Sequence, residues 1–304
     1  MISRRLFVAG MATASAGSLF LQPAALARAF TRAGNFTPIR RGVGTFVSRG
    51  GTIGYLATPE GLVVIDGQYP DTAAECLAGL KEKGDRRIDV FVNTHHHGDH
   101  TAGNPVFAAQ ADVFLAHREA ARLQRASAAS AGTADEQAFP EATYEESFSV
   151  AVGDEILHLD HYGPGHTGGD SVVYLEKADV VHMGDLVFNR MPPFIDIAGG
   201  ASVSNWVHTL ETVHARFSDD TVFIHGHGGP NYGIVGTRED LLVMRDFLSG
   251  LLEYVSTGIA AGNSVDELAA VDRLPDFPNH YLDSWAAAIP NAIKAAHTEL
   301  TAQK

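Results

Sequence analysis

One short run constrains this chain more than any other: Thr94-His95-His96-His97-Gly98-Asp99-His100, directly behind the apolar stretch Ile88 to Asn93, which reads as a strand. Four metal-ligating side chains besides His96 fall within that run. In an extended segment side chains at i and i+2 share a face, so His95 and His97 point together while His96 points away. A turn at Gly98 brings Asp99 and His100 back toward them. Imidazole nitrogen and carboxylate oxygen are the donor set a borderline-soft divalent ion such as zinc accepts. A site built without cysteine is more often catalytic than structural.

Three later segments supply matching partners: Gly163-Pro164-Gly165-His166-Thr167-Gly168-Gly169-Asp170, His182-Met183-Gly184-Asp185 and His225-Gly226-His227-Gly228. Each follows or ends a predicted strand, and the glycines beside His166, Asp185 and His227 permit tight turns and close backbone approach. The predicted strands are Gly42 to Tyr55, Gly61 to Asp66 with its apolar Val63-Val64-Ile65, Ile88 to Asn93, Asp112 to Ala116, Glu155 to Leu159, Ser171 to Leu175, Val180 to Met183 and Thr221 to His225. Helices are expected from Asp71 or Thr72 to Gly84, over Arg118 to Ala129, over Val203 to Phe217, from Thr237 through Tyr254, and after Ser264, with Thr237/Asp240 and Ser264/Glu267 resembling capping boxes. Ser130 to Glu146 reads as a surface loop or lid. Strands alternating with helices indicate a layered α/β architecture, expected as one domain over residues 28–304.

The HxHxDH run followed in order by His166, Asp185 and His227 resembles the metallo-β-lactamase superfamily, over roughly Gly42 to Gly228. The resemblance implies a four-layer αββα sandwich; it does not extend to the C-terminal helices, which are expected to pack. It implies two zinc ions: the first on His95, His97 and His166, the second on Asp99, His100 and His227, with Asp185 bridging them. Asp99 and Asp185 would then sit at the catalytic centre. Asp66 matches an early structural aspartate that hydrogen-bonds the metal loop. Within the Gly-His-Gly turn His227 is preferred over His225 as the ligand. The implied reaction is attack of metal-bound hydroxide on an activated carbonyl of a small molecule, a β-lactam, lactone, ester or thioester. Dedicated zinc β-lactamases usually carry cysteine or serine where this chain has Asp185, so the broader hydrolase branch is preferred. A dedicated β-lactamase, or an iron-dependent oxidoreductase of the same fold resembling a persulfide dioxygenase, are the alternatives. In the apolar run after Asp185, Phe188 and Arg190 are candidate substrate contacts, with Arg190 a clamp for a substrate carboxylate.

Charge narrows the partners. The formal net charge is -14, which disfavours nucleic acid. The N-terminus, Ser3-Arg4-Arg5-Leu6-Phe7-Val8 with an apolar run to Leu21 and then Ala25-Leu26-Ala27, resembles a twin-arginine export signal spanning residues 1–27. It predicts a periplasmic or secreted protein with no membrane anchor after cleavage. Cys76 is the sole cysteine and reads as a small buried hydrophobe. Oligomeric state is not legible from these residues.

Overall fold

The computed structural model describes residues 35–302; the export signal expected over residues 1–27 lies outside the described residues. Seven strands pair in sequence order: β1 (Phe36–Arg40), β2 (Val43–Phe46), β3 (Ile53–Ala57), β4 (Leu62–Ile65), β5 (Ile88–Asn93), β6 (Ala111–His117) and β7 (Ala142–Tyr144). Pairing is antiparallel from β1 to β4 and parallel from β4 to β7. Parallel neighbours need crossovers. Helix α1 (Pro70–Lys83) makes the first, short helices α2 (Gly98–Thr101) and α3 (Asn104–Ala108) the second, and α4 (Arg118–Ala131) the third.

A second sheet runs β8 (Ser147–Val152), β9 (Glu155–Asp160), β10 (Val172–Leu175), β11 (Val180–His182), β13 (Val222–Ile224) and β15 (Val235–Gly236), again neighbour to neighbour. A parallel pair of two-residue strands, β12 (Phe188–Asn189) and β14 (His227–Gly228), lies apart from both sheets. Helices α5 (Val203–Arg216), α6 (Glu239–Ala260), α7 (Val265–Leu268) and α8 (Ala288–Ala302) complete the chain. Among the described residues no helix is long and apolar enough to cross a membrane.

The period-2 alternation of strand side chains explains the layering. In β4, Val63 and Ile65 join a cluster with Val90, Val92, Leu157, Leu159 and Val173, which fills the space between the sheets. Leu62 and Val64 face the other way, with Phe91, Cys76 and Leu80, under α1. A third cluster packs Val172, Val181 and Phe223 under Trp206, Leu210, Phe247 and Ile293 of α5, α6 and α8. Helix, sheet, sheet, helix is the four-layer αββα sandwich expected from the sequence, and Cys76 is buried in it as expected.

Local differences have physical causes. The stretch Gly42 to Tyr55 is two strands rather than one, because Gly50 (φ +94°) breaks it where the backbone meets the metal loop. There the Gly51 N–H donates to the Asp99 carbonyl at 3.1 Å. Helix α1 is capped two or three residues earlier than expected, by Tyr69 rather than by Asp71 or Thr72, with Pro70 opening the first turn. The predicted lid after α4 contains β7, whose buried Tyr144 donates its hydroxyl to Ser171 Oγ at 2.5 Å. Strand β8 escaped sequence reading because only Val152 of its six residues is buried.

Trp206 couples the outer helices to the site loops. It is fully buried on α5, donates Nε1–H to the Leu186 carbonyl at 2.9 Å, and packs edge-on with His166, their ring centroids 5.6 Å apart. Trp206→Ala is expected to cost about 3–5 kcal/mol, as for other large aromatic truncations. Trp206→Phe keeps the packing and strands one buried carbonyl, at about 1–3 kcal/mol. Urea unfolding followed by circular dichroism checks both, and equal losses would contradict this division of roles.

Candidate metal centre

The site is assembled by loops leaving strand ends, and one carboxylate ties them. Asp66 follows β4 in a left-handed conformation (φ +66°), and its N–H bonds to Val92 O at 2.7 Å. Its carboxylate, fully buried, accepts from the Thr94 N–H and Thr94 hydroxyl, each at 2.7 Å, and from His100 Nδ1 at 2.8 Å. The position expected for Asp66 from sequence is the one observed.

Those bonds also fix tautomers. Thr94 Oγ1 spends its single proton on Asp66, so at 3.1 Å it accepts from His95 Nδ1. His95 Nε2 is left buried without a hydrogen-bond partner. His166 Nδ1 donates to the Phe194 carbonyl at 2.7 Å, and His97 Nε2 donates to Asp196 Oδ2 at 3.0 Å. His166 Nε2 and His97 Nδ1 consequently face each other at 2.8 Å. Ligand atoms of His95, His97, His166 and Asp185 all lie within 4.8 Å of one another. Burial holds His95 well below the usual imidazole range and His166 down at about 3, so both are neutral. Three convergent imidazoles beside a carboxylate, one of them with an orphaned buried nitrogen, fit a divalent cation.

The second group is Asp99, His100 and His227. His227 Nε2 lies 3.1 Å from Asp99 Oδ2 and 3.3 Å from His100 Nε2. Burial opposes charge on His100, but Asp185, Asp66 and Asp99 outweigh it and raise its pKa well above the usual value. Burial likewise works against His227, yet Asp185 and Asp99 push it up to about 9. Protons thus occupy this half where a cation would otherwise sit.

Asp185 touches both groups. Its Oδ2 lies 3.7 Å from His95 Nε2, 3.5 Å from His166 Nε2 and 3.4 Å from His227 Nε2, and its Oδ1 is 3.0 Å from His100 Nε2. Although burial opposes ionisation, His100 and His227 hold its pKa well below the usual carboxylate range. The turn that delivers it tolerates no side chain opposite: a Cβ on Gly226 would stand 2.1 Å from Asp185 Oδ1. Preceding Gly184 takes φ +51°.

All seven residues expected as ligands therefore converge. His225 does not join them: it is fully buried two residues before His227, with neither ring nitrogen hydrogen-bonded. His96 does turn from the ligand groups, but toward Asp196 Oδ2 at 3.2 Å, a carboxylate it shares with His97. Sequence reading gave Asp196 no role, since its only mark is an acid ending the apolar run after Asp185.

Of the two candidate substrate contacts, the structure keeps one. A cavity of about 620 Å³ over the centre is lined by His97, Asp99, His166, Asp185 and His227, and by Phe188, whose ring stacks on His227 at 5.3 Å. Arg190 is a correction: it does not line this cavity. Its Nη1 binds Asp240 Oδ1 at 2.6 Å and Asn189 Oδ1 at 2.7 Å, and its guanidinium lies 5.0 Å from the Tyr232 ring centroid. A partly buried guanidinium needs a carboxylate, and Asp240 provides one within the fold. The C-terminal helices α6 and α8 pack as expected, and Trp285, from the turn before α8, reaches the cavity wall.

Comparison with known proteins agrees with this architecture. The family model described as Metallo-beta-lactamase superfamily matches residues 48–227. The chain is 24% identical over 196 residues to a metallo-beta-lactamase type 2 of Bacillus cereus, covering 64% of this chain and 71% of that protein. It is 24% identical over 217 residues to one of Bacteroides fragilis, covering 66% and 80%. Among solved structures, a metallo-beta-lactamase from Pontibacter korlensis superposes with a TM-score of 0.60 at 22% identity, over 70% of this chain and 98% of that one. A double mutant of the sec-alkyl sulfatase PisA1 superposes with a TM-score of 0.69 at 16% identity, over 90% of this chain and 52% of the longer enzyme. With the family model spanning the strands and loops that carry every candidate ligand, the chain belongs to the metallo-beta-lactamase superfamily, a family of metal-dependent hydrolase folds.

Proposed function

We propose that the protein is an exported, dinuclear zinc hydrolase that cleaves an activated carbonyl compound, an ester, lactone or thioester of a small molecule. The observation that carries this reading is the position of Asp185, within 3.7 Å of donor nitrogens from both ligand groups. One ion on His95, His97 and His166 and another on Asp99, His100 and His227 would share it.

Zinc so held supplies Lewis-acid activation of water at neutral pH and a counter-charge for an anionic transition state. The chain's own residues do the positioning. Asp66, Thr94, Asp196 and the Phe194 carbonyl set which nitrogen of His100, His95, His97 and His166 faces the centre. Phe188 covers His227 on one face and limits water at that side. Asp185 stands where dedicated zinc β-lactamases usually carry cysteine or serine, and with Arg190 committed to Asp240 this chain lacks the carboxylate clamp its sequence suggested. β-Lactam turnover is therefore expected to be measurable but weaker than turnover of an ester, lactone or thioester.

Protein purified without chelator should hold close to two zinc ions per chain by elemental analysis. His227→Ala should lose about one of them, while His225→Ala keeps both. Because His100 and His227 carry protons in the metal-free cluster, zinc uptake should release protons and weaken as pH falls below about 9. Stoichiometric iron with oxygen-dependent turnover would overturn the hydrolase reading. For export, replacing both Arg4 and Arg5 with lysine should retain the precursor in the cytoplasm; unchanged export of that variant would remove the twin-arginine assignment.

A further inference from the structure

Two cavities meet at the candidate centre, and neither is lined by a lysine or an arginine. The first, about 620 Å³, opens over the ligands and is walled by Tyr69, Phe188, Met191, Phe194 and Trp285. The second, about 400 Å³, lies against α4 and the segment after it, with Ser127, Ala128, Thr133, Ala138 and Phe139 in its wall and His96 and Asp196 also lining it. His97, Gly98, Ala102 and Phe194 belong to both. Phe194 stands at their junction, 42% exposed, with its ring 5.3 Å from that of His97.

The charges near these walls are already committed. Arg49 lies over the Tyr69 ring at 4.1 Å and pairs with Asp71 at 2.6 Å. Arg125 lies over the Phe139 ring at 4.7 Å and donates to the Pro140 carbonyl at 3.2 Å. Arg190 pairs with Asp240. None of the three lines either cavity. A substrate carboxylate placed against the outer wall of either arm would lose hydration and find no lysine or arginine there in return.

We infer that the centre serves a two-armed cleft, and that its substrate carries an uncharged, apolar group on each side of the scissile bond, one group held against Trp285 and the other against α4 near Ser127. This rests on the hydrolase reading above for the bond cleaved, but not for the shape of the cleft. Trp285 and Ser127 are specificity residues far apart in sequence, and the bond is positioned at His97, where the arms join.

The test uses the zinc-loaded full chain and a grid of neutral esters lengthened independently on the acyl and the alcohol side, each with a carboxylate-bearing counterpart. Neutral members should exceed their carboxylate counterparts by at least about tenfold in kcat/KM, the scale of discrimination a few methylenes give in an apolar pocket. W285A should lose about tenfold on compounds lengthened on one side while sparing short ones, and S127W should do so on the other side. A readout independent of turnover comes from fluorescence. The chain has two tryptophans, Trp206 and Trp285, so in W206F protein a non-hydrolysable neutral amide should shift the emission of Trp285 and its carboxylate counterpart should not. Preference for carboxylate substrates, uniform losses across the grid, both variants acting on the same side, or an unresponsive Trp285 would overturn the two-armed cleft. Absence of ester, lactone and thioester turnover in zinc-loaded protein whose Trp285 still responds to the neutral amide would instead sink the hydrolase reading and leave the cleft standing.

Discussion

The buried carboxylate of Asp66 is the constraint on which the centre depends. A fully buried carboxylate must have its lone pairs satisfied. Asp66 achieves this with bonds that reach across two strand ends, to Thr94 behind β5 and to His100 in the loop beyond. The bond to Thr94 orders more than it touches, since a hydroxyl that donates to Asp66 can only accept from His95. The bond to His100 leaves Nε2 of that ring facing Asp185. One acid thereby sets the direction of a donor in each ligand group, which no local preference of a histidine-rich loop could do.

Topology explains why the loops arrive together. Strands β4 and β5 are parallel neighbours in one sheet, and β11 and β13 in the other. Parallel strands put their C-terminal ends on one edge, so Asp66, the His95–His100 loop, Asp185 and His227 all leave from such ends. Ligand sites in layered α/β proteins gather outside those ends for the same reason. The hydrophobic clusters on both faces of each sheet hold the edges in register. What remains flexible in design is the wall above the candidate centre, made from Tyr69, the run after Asp185, and Trp285.

The convergence of the candidate ligands was legible because their spacing is local and their chemistry is rare. The alternation that separates His96 from His95 and His97 holds, and the choice of His227 over His225 follows from which side of the Gly226 turn meets Asp185. Asp196 was hidden because its meaning is a contact with His97 across a long sequence separation, and its neighbours read only as apolar loop. Arg190 misled for a related reason: a cation beside an apolar run can serve a ligand or a buried acid, and Asp240, fifty residues further along the chain, decides between them. Trp285 was equally unreadable, since a tryptophan before a helix carries no mark of where the turn will place it. Strand β8 shows the same limit at the level of secondary structure, because an edge strand with one buried side chain has little hydrophobic signal to give.

The central claim is that the ligands form two adjoining cation sites divided as described, with Asp185 common to both. Anomalous diffraction at the zinc absorption edge from crystals of the zinc-loaded protein tests it directly. The account predicts two peaks about 3.5–4 Å apart, the separation usual for paired catalytic metals, one among His95, His97 and His166 and the other among Asp99, His100 and His227, with Asp185 between them. A single peak in fully loaded protein, or a peak bound instead by His96 and Asp196, would contradict it.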